Sequence, residues 1–296
     1  MHEYISVSIK NGNYPLLDSQ KLHSYLMMET TMPQHPYRRL RPARHELPEV
    51  GISESGNIRS LHLGTPTIQS SMNVDNPAEL VLSYSRAMMA WLLFVDELPR
   101  HITQIGLGGG SFARWIDAYL PETSQTAVDI NPQVISIARS MFELPYEGEK
   151  FEIIEDDGAE YIKVLRGNTN IILVDGFDGE QIIDSLVAEP FFADCRQALS
   201  EQGIFVTNWW QGDRRFHTFV QRLREVFENR VLMVPAETHG NIAVLAFQQP
   251  PSIRDWVKLK KRAQQRAIQF NLDLPAMLTS IKAQQPQSSR MVTFNY

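Results

Sequence analysis

The chain has 296 residues, of which 43% are hydrophobic and 21% charged, with a formal net charge of −6. This is the composition of a globular protein. It argues against a nucleic-acid binder, which needs a basic face, and is compatible with a cationic small molecule. The single cysteine, Cys195, excludes an intrachain disulfide or a thiolate metal cluster. The N-terminus lacks the basic start and apolar core of a secretory signal. The central apolar run AMMAWLLFV (87–95) is well short of the ~20 residues that cross a bilayer. A cytoplasmic chain with no membrane partner is the expectation.

Residues 1–48 form a polar, irregular extension whose basic stretch YRRLRPAR (37–44) reads as a solvated arm. Over 49–77, VGISESGNIRSLHLGTPTIQS alternates apolar and polar residues between turn signals at Ser55-Gly56-Asn57 and Gly64-Thr65-Pro66. That pattern predicts a small β-hairpin domain. AELVLSYSRAMMAWLLFV (78–95) reads as one long helix, apolar all round and therefore buried. From residue 101 strands and helices alternate: HITQIGL, SFARWIDAYL, TSQTAVDI, PQVISIARSMFEL, FEIIEDD, DGAEYIKVLR, NIILVDG, then SLVAEPFFADCRQAL with Pro190 interrupting it. GIFVTNWW, FHTFVQRLREVF and two closing strands, RVLMVPAE and IAVLAFQ, complete a domain over 78–249. The alternation predicts an α/β fold, a doubly wound, mostly parallel sheet with helices on both faces. Residues 250–296 read as a basic surface helix and a Gln/Ser-rich tail.

Ligands of such sheets bind at the carboxyl ends of the strands, where strand order reverses. The first strand runs into Gly108, Gly109, Gly110 and Ser111, a turn that lets a ligand approach the backbone and the N–H groups of the next helix. GGGSFA also fits a loose dinucleotide pattern, so a nicotinamide enzyme is a rival reading. The second strand ends at Asp129, 19 residues beyond Gly110, where a carboxylate can hold a ribose diol. The third ends in Asp156-Asp157-Gly158, positioned for an adenine amino group, and the fourth delivers Asp175 and Asp178. Any one of these aspartates could simply cap a helix. Four successive strands ending this way favour an adenosyl sulfonium over a nicotinamide, which needs no carboxylate after the third and fourth strands. The eight histidines show no H-x-x-x-H or H-E-x-x-H spacing, so no metal site is expected. Trp209-Trp210 could wall the pocket or pack at an edge, His239 reads as a loop residue, and Cys195 as inert core.

GLGGG, AVDINPQVI, DDGAEYI and IILVDGFDG together resemble the spermidine synthase-like polyamine aminopropyltransferases, over roughly residues 49–247. The resemblance implies the class I methyltransferase fold behind a small N-terminal β-domain that supports a homodimer or higher homo-oligomer. It implies transfer of an aminopropyl group from decarboxylated adenosylmethionine, a co-substrate and not a tightly bound cofactor, to a diamine such as putrescine. Asp175 then corresponds to the catalytic carboxylate, and Asp178 and Tyr84 to the amine-binding residues. Gln69, Gly108, Gly110, Ser111, Asp129, Asp157 and Gly158 correspond to the adenosyl site. The pairing of Asp175 with Asp178 makes sense as a socket for an amine, since one carboxylate can take a proton while the other grips charge. Ser111 stands where the family carries an aspartate for the donor's ammonium. Ser85 and the Gly176-Phe177 and Gly179 positions also depart from the family pattern. A methyltransferase using ordinary adenosylmethionine, or a non-catalytic binding relative, therefore stays open as an alternative.

Overall fold

A computed structural model describes residues 4–5, 47–176, 182–238 and 240–294. The basic stretch 37–44, Phe177, Asp178, Gly179 and His239 lie outside the described residues. The first sheet is antiparallel and runs β1 (Tyr4–Ile5), β2 (Val50–Ser55), β3 (Ile58–Leu63) and β4 (Ile68–Asn73). Gly56, at φ +60°, opens the tight turn between β2 and β3, a conformation that suits glycine. In β4 the register slips: Ile68 faces His62 and Ser70 faces Leu61, so Gln69 is the extra residue of a bulge. Bulges re-aim side chains and bend a strand, and this one lies beside the site described below.

The second sheet has seven strands in the order β10-β11-β9-β8-β5-β6-β7. They are β5 (His101–Ile105), β6 (Ser124–Asp129), β7 (Phe151–Glu155), β8 (Thr169–Val174), β9 (Leu199–Trp210), β10 (Val231–Pro235) and β11 (Asn241–Phe247). β7, β6, β5, β8 and β9 are parallel, and β11 and β10 close the sheet antiparallel. Order reverses at β5, which has β6 on one side and β8 on the other. The predicted doubly wound α/β sheet and the small sheet before it are both present.

Helices cover both faces: α1 (Ser83–Met88), α2 (Ser111–Tyr119), α3 (Pro132–Met141), α4 (Gly158–Ile162), α5 (Glu189–Ala198), α6 (Phe216–Val226), α7 (Trp256–Phe270) and α8 (Leu274–Ala283). One core gathers Trp91, Trp115, Leu173, Leu245 and Phe270, and the other Phe192, Phe205, Trp209, Phe219 and Phe227. The small sheet packs Val50, Leu61 and Met72 onto Val134 and Ile137 of α3, which fixes it over the loops that follow β5 and β6. No helix among the described residues is long and apolar enough to cross a membrane.

Three expectations need correcting. The single helix over 78–95 is instead the short α1 followed by a 3-10 turn, Met89–Leu93. Arginine side chains take carbonyls that a continuous helix would use: Arg86 donates to Leu80 and Val81, Arg262 to Leu93 and Val95, and Arg266 to Leu92 and Val95. Pro190 does not interrupt a helix but sits in the first turn of α5, where its missing N–H costs nothing. The stretch after residue 250 is no surface helix and tail. Leu259, Ala263 and Phe270 of α7, Leu274, Leu278 and Ile281 of α8, and Val292 all join the core around Trp91.

Candidate active site

Beyond β5 the chain turns through Gly106, Leu107, Gly108, Gly109 and Gly110 into α2. Gly106 has φ +93°, and a Cβ there would overlap the carbonyl oxygen of Asp175. The Asp175 N–H donates to Ile105 O at 2.9 Å, so the loops after β5 and β8 run backbone against backbone. Gly108 and Gly110 are also left-handed, at φ +51° and +71°, and Gly110 is the N-cap of α2. The Ser111 hydroxyl lies 3.2 Å from Ser70 Oγ and 3.3 Å from Ser71 O, which ties α2 to β4 of the small sheet.

Arg114, only 4% exposed, braces this loop from behind. Its guanidinium donates to Gly109 O, to Phe142 O at 2.7 Å and to Pro77 O at 2.6 Å. Burial lowers its pKa to about 10, so it stays charged at neutral pH. The sequence reading missed Arg114, although a charge within the apolar stripe of SFARWIDAYL was the available signal.

Asp129 ends β6 and also holds the glycine loop. Its Oδ2 accepts from Leu107 N and its Oδ1 from Asn131 N, each at 2.9 Å, and the Gly108 amide contributes as well. Burial raises its pKa, and these backbone N–H groups oppose the rise. Asp157 caps α4, accepting from Ala159 N at 2.8 Å. A Cβ on Gly158 would collide with Ile105, so packing against β5 by itself demands glycine there. Both carboxylates thus have structural work, yet a carboxylate offers about four acceptor positions and these bonds leave some open. Asp156 links the two strand ends, donating its N–H to Asp129 O and accepting from Asp157 N.

Asp175 follows β8 and is half-buried. The Tyr84 hydroxyl, from α1, donates to the Gln69 carbonyl at 2.9 Å and also bonds Asp175, so its one proton is shared between two acceptors. The Asn208 amide of β9 donates to Asp175 Oδ1 at 3.2 Å, and Asn241 of β11 donates to Asn208 Oδ1 at 3.0 Å. Burial lifts the Asp175 pKa to about 6 against the pull of Asn208 and Tyr84. Burial, then the carboxylate, push the Tyr84 phenol well above its usual range, so it is neutral. Asp175 is therefore a carboxylate poised to gain or lose a proton near neutral pH, in uncharged surroundings.

The structure thus joins Asp175, Tyr84 and the Gln69 backbone in one cluster. Gly108 and Ser111 border β4 at Ser70, while Asp129 and Asp157 stand at the neighbouring strand ends. The β10–β11 turn is pinned over α1 by Ser83 Oγ to Thr238 Oγ1 at 2.8 Å and by the Arg86–Glu237 pair, also 2.8 Å. Trp209 is core at 1% exposure, whereas Trp210 is 54% exposed at the end of β9. Cys195 is buried in α5 with its thiol pKa pushed up, as an inert core residue should be. Gly106, Asn208 and Asn241 had no local signature in the sequence, because their meaning lies in partners from other strands.

Residues 81–253 match the spermine/spermidine synthase domain. A polyamine aminopropyltransferase of Neisseria meningitidis serogroup A is 70% identical over 259 residues, covering 88% of this chain and 98% of that protein. One from Chromobacterium violaceum is 59% identical over 86% of this chain and 98% of its own length. Among solved structures, a spermidine synthase in complex with the transition state analogue AdoDATO superposes with a TM-score of 0.61 at 18% identity, over 88% of this chain and 96% of the other, which speaks for the fold. With that match across more than half its length and those identities, the chain belongs to the spermine/spermidine synthase family of polyamine aminopropyltransferases.

Proposed function

We propose that the protein transfers an aminopropyl group from decarboxylated adenosylmethionine to a diamine such as putrescine and releases methylthioadenosine, with Asp175 as the base. The observation that carries this reading is the Asp175 carboxylate, lifted to about 6 and bordered by a neutral phenol and a neutral amide. An alkylammonium in water titrates near 10, like lysine, and must lose a proton before it can attack. Burial lowers the proton affinity of an ammonium and raises that of a carboxylate, so a partly dehydrated pocket brings the two together. The amine nitrogen then attacks the methylene next to the sulfonium. A C–N bond forms, the C–S bond breaks, its electron pair returns to sulfur, and the proton ends on Asp175.

In this reading Asp129 holds the ribose diol with the acceptor capacity its backbone bonds leave, and Asp157 takes the adenine edge. Gly108, Gly110 and Gly158 allow close approach, with Gln69 and Ser111 lining the sulfonium side. Asp178 and Tyr84 receive the acceptor amine, and positioning does the rest of the work. Assembly as a homodimer through the small sheet, and a cytoplasmic setting suited to a lone buried thiol, belong to the same reading.

The test supplies purified protein with putrescine and either decarboxylated or ordinary adenosylmethionine, with products followed by mass spectrometry. Spermidine and methylthioadenosine from the decarboxylated donor, lost in Asp175→Asn while methylthioadenosine still binds, are the expected results. A methylated product from the ordinary donor, or an Asp175→Asn variant that turns over at the wild-type rate, would overturn the assignment.

A further inference from the structure

The amide chain behind Asp175 has a consequence for how that carboxylate is held. Asn208 is 2% exposed and cannot turn to water for partners. It stands opposite Ala243 on β11, so Asn241 is its diagonal neighbour across the β9–β11 ladder. The two ends of an amide are chemically opposite, one donating and one accepting, so the partner at one end dictates which end faces the other way. Asn241 Nδ2 donates to Asn208 Oδ1 at 3.0 Å, which leaves Asn208 Nδ2 to donate to Asp175 Oδ1 at 3.2 Å. We infer that Asn208 and Asn241 are a coupled pair of positioning residues, in which Asn241 sets the orientation of the Asn208 amide and Asn208 thereby keeps a donor on the Asp175 carboxylate.

This inference rests on the reading of Asp175 as the base. Turned over, Asn208 would set its carbonyl oxygen against an ionised Asp175, and the carboxylate would be driven to hold a proton. The groups facing Asp175 are Tyr84 from α1, the Gly106 backbone from the loop after β5, and Asn208 from β9. Gln69 of β4 and Asn241 of β11 stand one bond further out and are uncharged. Of these only Tyr84 titrates, while Arg86 of α1 and Glu237 of the β10–β11 turn pair with each other. Asp178, on the loop that follows Asp175, lies outside the described residues.

The closing experiment compares Asn241→Ala, Asn241→Asp and Asn208→Ala through the pH dependence of kcat/KM for the acceptor, alongside methylthioadenosine binding. Asn241→Asp nearly preserves shape but can only accept once ionised, so it turns the Asn208 amide away from Asp175. It should move the acid limb upward and cost about tenfold in rate at pH 7, recovering in alkali. Asn241→Ala merely frees the amide and should cost about threefold. Asn208→Ala should shift the limb as Asn241→Asp does, with nucleoside binding unchanged. A merely structural role predicts the reverse order, with the near-isosteric aspartate milder than alanine. That order, or wild-type profiles in both Asn241 variants, overturns the inference. If instead Asp175→Asn retains full turnover, the assignment of the base falls and takes this inference with it.

Discussion

Asp129 and Asp175 end the two strands that flank β5, and the fold treats their carboxylates in opposite ways. Asp129 is gripped by backbone N–H groups of Leu107, Gly108 and Asn131, donors that the chain cannot withdraw without unmaking the loop. Asp175 is held by two side chains, the Tyr84 phenol and the Asn208 amide, which can rearrange. A carboxylate fixed by the backbone serves as a clamp that shapes a binding surface. One held by movable side chains, in a site where burial raises its pKa to about 6, can change its protonation within a catalytic cycle. The same residue type at neighbouring strand ends thus divides the labour between holding and reacting.

The sharpest way to break this arrangement is at the seam between the two loops. Gly106→Ala places a methyl group on the Asp175 carbonyl at a φ of +93°, and should cost about 4 kcal/mol or leave no folded protein, as read by urea denaturation. Asp129→Asn replaces one acceptor oxygen with an amide donor facing a backbone N–H, so a loss of about 2–3 kcal/mol in the same assay is expected. Stability equal to wild type would mean that the clamp is not structural.

Asp175→Asn should do the opposite and stabilise. The pKa of Asp175 is raised in the fold, to about 6 from 3.8, so its contribution to stability is fully present below 3.8 and is lost as pH rises through about 6. The full shift would correspond to roughly 3 kcal/mol, and partial contact with water reduces this to about 1–2 kcal/mol. Melting curves should therefore show the variant more stable than wild type at pH 8, with the gap closing toward pH 4. A constant gap across that range would show that the carboxylate does not titrate as described. The smallest effect belongs to Tyr84→Phe. Loss of one bond that favours the ionised form should move the acid limb of turnover, expected near pH 6 in wild type, upward by about half a unit.

Much of the fold is legible residue by residue. β-Strand runs such as IILV (171–174) and helices such as PQVISIARSM carry their periods locally, and Pro132, Asn131 and Asp157 mark helix starts by their own chemistry. The aspartates at strand ends are legible because topology places those ends together. Leu274, Met277, Leu278 and Ile281 repeat at helical spacing, so α8 could also have been read as core, but the basic and Gln-rich residues around it pointed to a surface.

The sequence by itself therefore determined the alternation of strands and helices, the glycine turn, and the carboxylates presented at the edge of the sheet. Each of these depends on residues a few positions apart, where backbone geometry translates spacing into place. Only the tertiary structure decided that 78–95 breaks, because the guanidinium groups that claim its last carbonyls come from Arg262 and Arg266, far along the chain on α7. It likewise decided that the partners of Asp175 are Tyr84, Asn208 and, one bond further, Asn241. A hydrogen bond between residues on different strands leaves no periodic trace in sequence. Its donor and acceptor meet only when the sheet is assembled, and the burial that makes Asp175 a base arises in the same step.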